Sequence, residues 1–483
     1  MFYYFVAYLC LMIKQLALCA LLCTPVCTAI AQTDQEKTTA YYNKLKASGD
    51  VARLAYFFSQ MPKGGDLHHH YSGSVYLETY LDWCKDKGKY IDSFKYSIVD
   101  DTAADRISID ALRKNALHYR NLMSLWSTAD FYNHSAPQVP PDQHFFNTFG
   151  FFSPISGNFK AGLAELKRRA LQENVQYIET MLSSVSVSIK STTYNASLYR
   201  HLATRDENGL TALFDSIRTS LAKIAIDTAV TNYISALRDA RTGIDDGNFT
   251  MRYQTYANRL KDPSTVFISI YAAFCVAATD TNIVGVNFVG AENDPVSMKD
   301  FWLHMRMFRY FKSLPQFEKI HLALHAGELA PGMTRPEDMG YHIYESLTIA
   351  GAERIGHGVD LPYEDAQAIL THMAAKKNAI EINLTSNEFI LGIKNERHPI
   401  NMYHDGGVPL TISTDDAGVS RSSLTEQYIM LAERYTFTYP QIRSFVLNSI
   451  EHSFMNPYMK THHKALLQRR FAAFEKMVAG MSK

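Results

Sequence analysis

"DLHHHYSGS", residues 66–74, sets three histidines in a row just ahead of a serine and a glycine. Read as the end of a β-strand, it turns His68 and His70 to one face and His69 to the other. That pairing offers two imidazole nitrogens to one metal ion, and the strand reading also decides the fold. Seven more strand candidates follow: "VQYIETML" (175–182), "TVFISIYA" (265–272), "IVGVNFVG" (283–290), "IHLALHAG" (320–327), "RIGHG" (354–358), "AIEINLTS" (379–386) and "PLTISTDD" (409–416). Helical stretches such as "SMKDFWLHMRMFRYFKSL" and "EDAQAILTHMAAKK" separate most of them. Eight strands alternating with helices predict an α/β protein of the (β/α)8 TIM-barrel class in preference to an open doubly wound sheet. No dinucleotide fingerprint or phosphate-binding lysine loop stands in the right place.

The flanks read differently. Residues 1–31 are almost wholly apolar apart from Lys14 and end in "AIA", which resembles a secretory signal peptide cleaved after Ala31. Pro25 and the polar "QTDQEKTTA" beyond it weigh against a membrane anchor. The expected product is a secreted or periplasmic chain starting near Gln32, membrane-bound only if the leader is retained. Residues 32–60 carry helical periodicity and form an N-terminal extension, Pro62 stops it, and 61–465 make up the barrel. Residues 75–131 read as mostly helical, and "YNHSAPQVPPDQ" (132–143) as a loop. Between the second and third strands, about 183–262, lies a helical insert containing "GLTALFDSIRTSLAKIAIDTAVTNYISALRDA". Residues 466–483 form a C-terminal tail. These helical additions suggest a homodimer interface.

The 483 residues carry 48 basic and 48 acidic side chains, with no basic stripe, which speaks against nucleic acid as the main partner. Four of the six cysteines (Cys10, Cys19, Cys23, Cys27) lie in the leader. Cys84 and Cys275 remain, so a packed core and not a disulfide scaffold must hold the fold.

In a (β/α)8 barrel the reactive groups gather at the C-terminal ends of the strands. Those ends carry His68 and His70, His325 with Glu328, His357, and Asp415 with Asp416. Three imidazoles and a carboxylate suit zinc ahead of iron or manganese. A carboxyl such as Glu328, partly shielded from water, can donate or accept a proton near neutrality.

"MPKGGDLHHHYSGS", "HAGE", "RIGHG", "LTSNEF", "STDD" and "NSIEHSF", in this order, resemble the adenosine deaminase family of the amidohydrolase superfamily over roughly residues 60–460. The "MPKG" opening and the leader are closer to its secreted, growth-factor-related branch. The resemblance implies one Zn2+ per chain on His68, His70, His325 and Asp415, with His69 a bystander. It implies that Glu328 serves N1 of a purine, that His357 orients or deprotonates the attacking water, that Asp416 meets N7, and that the Gly290 amide meets N3. "HFFNTFG" (144–150) resembles the segment that covers the purine. Ser72 stands where cytosolic relatives have a sugar-binding aspartate; its hydroxyl can still bond a ribose oxygen, without charge.

The implied activity is hydrolytic deamination of adenosine and 2'-deoxyadenosine to the inosines and ammonia, with a small-molecule purine nucleoside as partner. Alternatives are another 6-aminopurine such as adenine, or a growth-factor-like binding protein; the latter fits poorly with a complete set of ligand and proton-transfer residues. The His/Cys/Cys zinc deaminases are excluded, because the chain beyond the leader has no Cys-x-x-Cys pair.

Overall fold

Closure of a parallel sheet on itself is the central feature of the computed structural model, which describes residues 32–133, 138–189, 192–221 and 223–481. The leader reading for 1–31 lies outside the described residues. Eight strands run β1 (Gly64–His70), β2 (Val175–Ser183), β3 (Thr250–Asn258), β4 (Ile283–Val289), β5 (Ala323–Ala326), β6 (Arg354–His357), β7 (Ala379–Ile382) and β8 (Leu410–Ile412). β1 to β4 pair in parallel in that order, and so do β5 to β8. A parallel bridge between Val286 and Leu322 joins β4 to the start of β5, and another between His69 and Asp415 joins β1 to the segment after β8. These two seams close the (β/α)8 barrel.

The third strand is not where periodicity put it. "TVFISIYA" lies inside a helix, Pro263–Thr279, that Asp262 caps by accepting from the Thr265 N–H and that starts with Pro263 in its first turn. This helix is buried on nearly every face, so its continuous apolar run could not be told from a buried strand. The third strand is instead "TMRYQTYAN", within the stretch that reads as insert in the sequence. It alternates Arg252, Gln254, Tyr256 and Asn258 with Met251, Tyr253, Thr255 and Ala257; Gln254 bonds the buried Glu179 and Asn287, and Tyr256 and Asn258, at its C-terminal end, line the cavity described below.

Before the barrel come α1 (Asp34–Ser48), which opens with a capping box between Thr33 and Glu36, and α2 (Val51–Gln60). The α1 residue Tyr42 donates to the Phe437 carbonyl at 3.2 Å. Lys63, fully buried, donates to the carbonyls of Phe58 (2.6 Å), Met61 (3.1 Å) and Glu173 (2.8 Å), tying the end of α2 to the barrel base. The segment read as helical over 75–131 also holds a small antiparallel sheet of Tyr90–Asp92, Ile98–Val99 and Arg106–Ile107. The loop expected to end at Gln143 ends earlier, because α3 (Pro141–Phe152) begins on its proline. It is followed by α4 (Phe159–Gln172), which leads into β2.

The insert comprises α5 (Asn195–Thr204), α6 (Glu207–Ser220) and α7 (Lys223–Ala240), and ends before β3. α7 packs against both α4 and the 263–279 helix, which makes it the ring helix between β2 and β3 and leaves α5 and α6 as additions. The residues expected as a tail continue a helix, Pro457–Met481, that packs along α1 and whose Glu475 carbonyl accepts from Thr38 Oγ1 at 3.3 Å. Its apolar residues Leu467, Phe471, Phe474 and Val478 are buried, which is why it is no tail. Cys84 is buried and Cys275 half-buried, both as free thiols. Among the described residues no helix is long and apolar enough to cross a membrane.

Candidate active site

The seam that closes the barrel also builds the site. The Asp415 N–H donates to the His68 carbonyl at 2.8 Å and the His70 N–H to the Asp415 carbonyl at 3.0 Å, so the "STDD" carboxylates are pinned beside the histidine run. Asp415 and His357 both hold left-handed backbone, φ 62° and 70°, a strained conformation for non-glycine residues that recurs at functional sites. His68 Nε2 and His70 Nε2 stand 3.5 and 3.3 Å from Asp415 Oδ1, and His70 Nε2 stands 3.0 Å from His325 Nε2. His69 points away, to Thr180 Oγ1 at 3.0 Å.

These donors fit a divalent ion. His68 Nε2 is buried and has no hydrogen-bond partner, an arrangement that is costly unless something else meets it. Donor atoms of His68, His325, His357 and Asp415 lie within 4.8 Å of one another, and so do those of His70, Asp415 and Asp416. The other side of two of these rings is tethered as a metal-binding imidazole requires: Glu381 Oε2 accepts from His68 Nδ1 at 2.7 Å, and Asn287 Oδ1 faces His325 Nδ1 at 2.9 Å. Burial, reinforced by the neighbouring histidines, pushes His325 well below the usual imidazole range and keeps it neutral. Burial works against the Asp415 anion, but the adjacent His68, with the charges of His357 and His70 beside it, outweighs burial and holds this carboxyl well below the usual range.

Glu328 sits on the turn after β5, 6 % exposed, with its Oε1 3.6 Å from His357 Nδ1. Its backbone N–H donates to Glu292 Oε2 at 2.8 Å, which fixes the turn. Burial, then the charges of Asp415 and Glu292, raise its carboxyl well above the usual value, so it holds a proton. Asp416 is raised the same way, by burial and then by Asp415.

All of this opens on a cavity of about 280 Å³ lined by His70, Ser72, His325, Glu328, Asp415 and Asp416, by Phe145, Phe146 and Phe149 of α3, and by Tyr256, Asn258, Leu260, Val289 and Gly290. Gly290 has φ 108°, which an L side chain rarely adopts, and a Cβ there would sit 3.1 Å from Leu260 Cγ. The strand end therefore presents bare backbone to the cavity.

A sequence profile described as adenosine deaminase matches residues 211–469. The chain belongs to the adenosine deaminase family. It is 32% identical over 174 residues to an adenosine deaminase of Clostridium kluyveri, covering 36% of this chain and 44% of that one. To an adenosine deaminase of Clostridium perfringens it is 23% identical over 397 residues, 82% of this chain and 95% of the other. Among solved structures, a zinc-bound amidohydrolase from Burkholderia ambifaria superposes with a TM-score of 0.54 at 16% identity, covering 88% of this chain and 94% of that one. An Arabidopsis N6-methyl-AMP deaminase also gives 0.54 at 16% identity, covering 86% and 99%. At that identity the structures establish the shared barrel.

Several residues of this deaminase site were not visible as site residues in the sequence. Glu381, Asn287 and Glu292 position the histidines and Glu328, and Tyr256 and Asn258 line the cavity from the misread strand. A single carboxylate inside the apolar "AIEI" was the one available signal for Glu381, since such a group needs a buried partner.

Proposed function

We propose that the protein is a zinc-dependent adenosine deaminase that converts adenosine and 2'-deoxyadenosine, with water, to inosine and 2'-deoxyinosine and ammonia. The observation that carries the substrate reading is the cavity lining: it has carboxyls, imidazoles, aromatic rings and a hydroxyl, but no lysine or arginine to meet a phosphate. Its volume of about 280 Å³ is of nucleoside size.

On this reading His68, His70, His325 and Asp415 hold the ion. Bound there, zinc lowers the pKa of a water so that a nucleophile is available at neutral pH. The remaining work belongs to the chain. Glu328 delivers its proton to N1, which drains charge from the ring as C6 is attacked. Asp416, protonated, donates to N7, and the Gly290 N–H meets N3. His357, with Nε2 4.0 Å from Asp415 Oδ2, orients the attacking oxygen. The three phenylalanines of α3 cover the base and exclude bulk water, and Ser72 reaches the sugar. We further infer that the leader is removed near Ala31 and that the enzyme works outside the cytoplasm; N-terminal sequencing of purified protein reads this directly.

The deciding assay is ammonia release from adenosine, 2'-deoxyadenosine, adenine and AMP side by side with zinc-loaded protein. The two nucleosides are expected to dominate. AMP or adenine turning over as well as adenosine overturns the reading.

A further inference from the structure

Two asparagine-centred hydrogen-bond chains reach the cluster of histidines, one through Asn387 to His357 and one through Asn287 to His325, and each has a direction that can be read link by link. The first starts at the backbone N–H of Ile400, which can only donate and does so to His398 Nδ1 at 3.2 Å. His398 is 3 % exposed, and burial pushes it down to about 3, so it is neutral and its one proton sits on Nε2. That N–H donates to Asn387 Oδ1 at 3.1 Å. The Asn387 amide nitrogen is thereby turned to His357 Nδ1, at 2.9 Å, and His357 must accept there. The Asn383 amide nitrogen faces the same atom at 3.4 Å. The only place left for the His357 proton is Nε2, the atom that faces Asp415.

The second chain runs the other way. Glu179 Oε2 accepts from Gln254 Nε2 at 3.2 Å, Gln254 Oε1 from Asn287 Nδ2 at 2.9 Å, and Asn287 Oδ1 from both the Phe288 N–H at 2.8 Å and His325 Nδ1 at 2.9 Å. His325 therefore carries its proton on Nδ1 and shows a bare Nε2 to the cluster.

We propose that these chains hold His325 and His357 as opposite tautomers, with His398 and Asn387 as positioning residues that make His357 a hydrogen-bond donor at Nε2. His357 then steadies the attacking oxygen by donating to it and is neither a ligand nor the base that deprotonates it. This gives the "LTSNEF" motif and the buried His398, neither of which lines the cavity, a part in the proposed deamination, and it rests on that reading only for the identity of the oxygen.

The test is ¹⁵N NMR of histidine-labelled protein, metal-free and without substrate. His357 is expected with a protonated Nε2 and His325 with a protonated Nδ1. Asn387→Asp, nearly isosteric and acceptor-only, is expected to draw the His357 proton to Nδ1 and to lower kcat about 10- to 100-fold with KM little changed. His398→Gln can accept from Ile400 and donate to Asn387, so it keeps the Nε2–H tautomer, whereas His398→Leu loses it. A wild-type His357 protonated on Nδ1, or an Asn387→Asp protein that keeps Nε2–H, overturns the proposal. The expected tautomers in a protein that fails to deaminate adenosine overturn the functional reading alone.

Discussion

Gly73 and Asp416 fit so closely that a Cβ on Gly73 would sit 1.6 Å from Asp416 Oδ1. The glycine of "HYSGS" is thus the space into which the second aspartate of "STDD" folds, across the seam that closes the barrel. Gly73→Ala must push the Asp416 carboxyl aside. Displacing a substrate-positioning group by about 1 Å costs on the order of 100-fold, and kcat/KM for adenosine is expected to fall by that much. Near-normal kinetics in a folded Gly73→Ala protein would show that Asp416 does not meet the base.

Glu328→Gln preserves shape and hydrogen-bonding capacity but removes the acid. Because Glu292 holds the Glu328 backbone N–H, the turn stays in place in the variant. Turnover is expected to fall by roughly 10²- to 10⁴-fold, while zinc content, read by metal analysis after dialysis, stays at the wild-type level. Loss of the metal together with activity would instead make Glu328 part of the ion's support.

Three imidazoles and Asp415 face one another at 3.0 to 3.5 Å, a crowding that an ion held among them would relieve. Chelated protein is therefore expected to melt lower, and zinc at about 100 times its Kd to add about 2.7 kcal/mol. Scanning calorimetry of chelated, zinc-loaded and magnesium-loaded samples checks this. A Tm indifferent to zinc, or one that magnesium raises as much, counts against the four donors as a zinc site.

What could be read in advance follows physical lines. A lone histidine at a strand end is usually a satisfied structural group, so His68, His70, His325 and His357 were legible only jointly, through the barrel that gathers the C-terminal ends of its strands. β3 was not, because a barrel's interior face at the catalytic end is polar, and "TMRYQTYAN" looks like a half-solvated segment until the sheet is closed around it. The buried ion pairs were hidden by distance along the chain. Arg354 donates from Nε to Glu381 Oε1 at 2.5 Å and from a terminal nitrogen to Glu179 Oε2 at 2.6 Å. Each of these residues is a lone charge in an apolar strand, and nothing local says that three such charges meet. The small sheet over 90–107 has strands too short for any period to show.

Lys63, in the "MPKG" that precedes the histidine run, makes the last prediction. Its amine is fully buried within reach of three backbone carbonyls, and in the neutral form that burial favours it has two N–H groups to donate, so Lys63→Met removes two hydrogen bonds, each worth about 1 kcal/mol or more. A loss of roughly 2 kcal/mol in urea unfolding is expected, with kcat of the folded variant unchanged because the residue lies at the barrel base. The pH dependence has a definite sign. Burial, opposed by the nearby Glu173 charge, brings the Lys63 pKa down to about 7, against about 10.4 in an unfolded chain. Between those values the unfolded state binds the extra proton, so this residue's contribution to stability rises with pH through that window. The gap between wild type and Lys63→Met should accordingly widen from pH 7 to pH 9.5. A gap that narrows over the same range would mean that the ammonium form is the one the three carbonyls hold, and that its native pKa lies above the unfolded value.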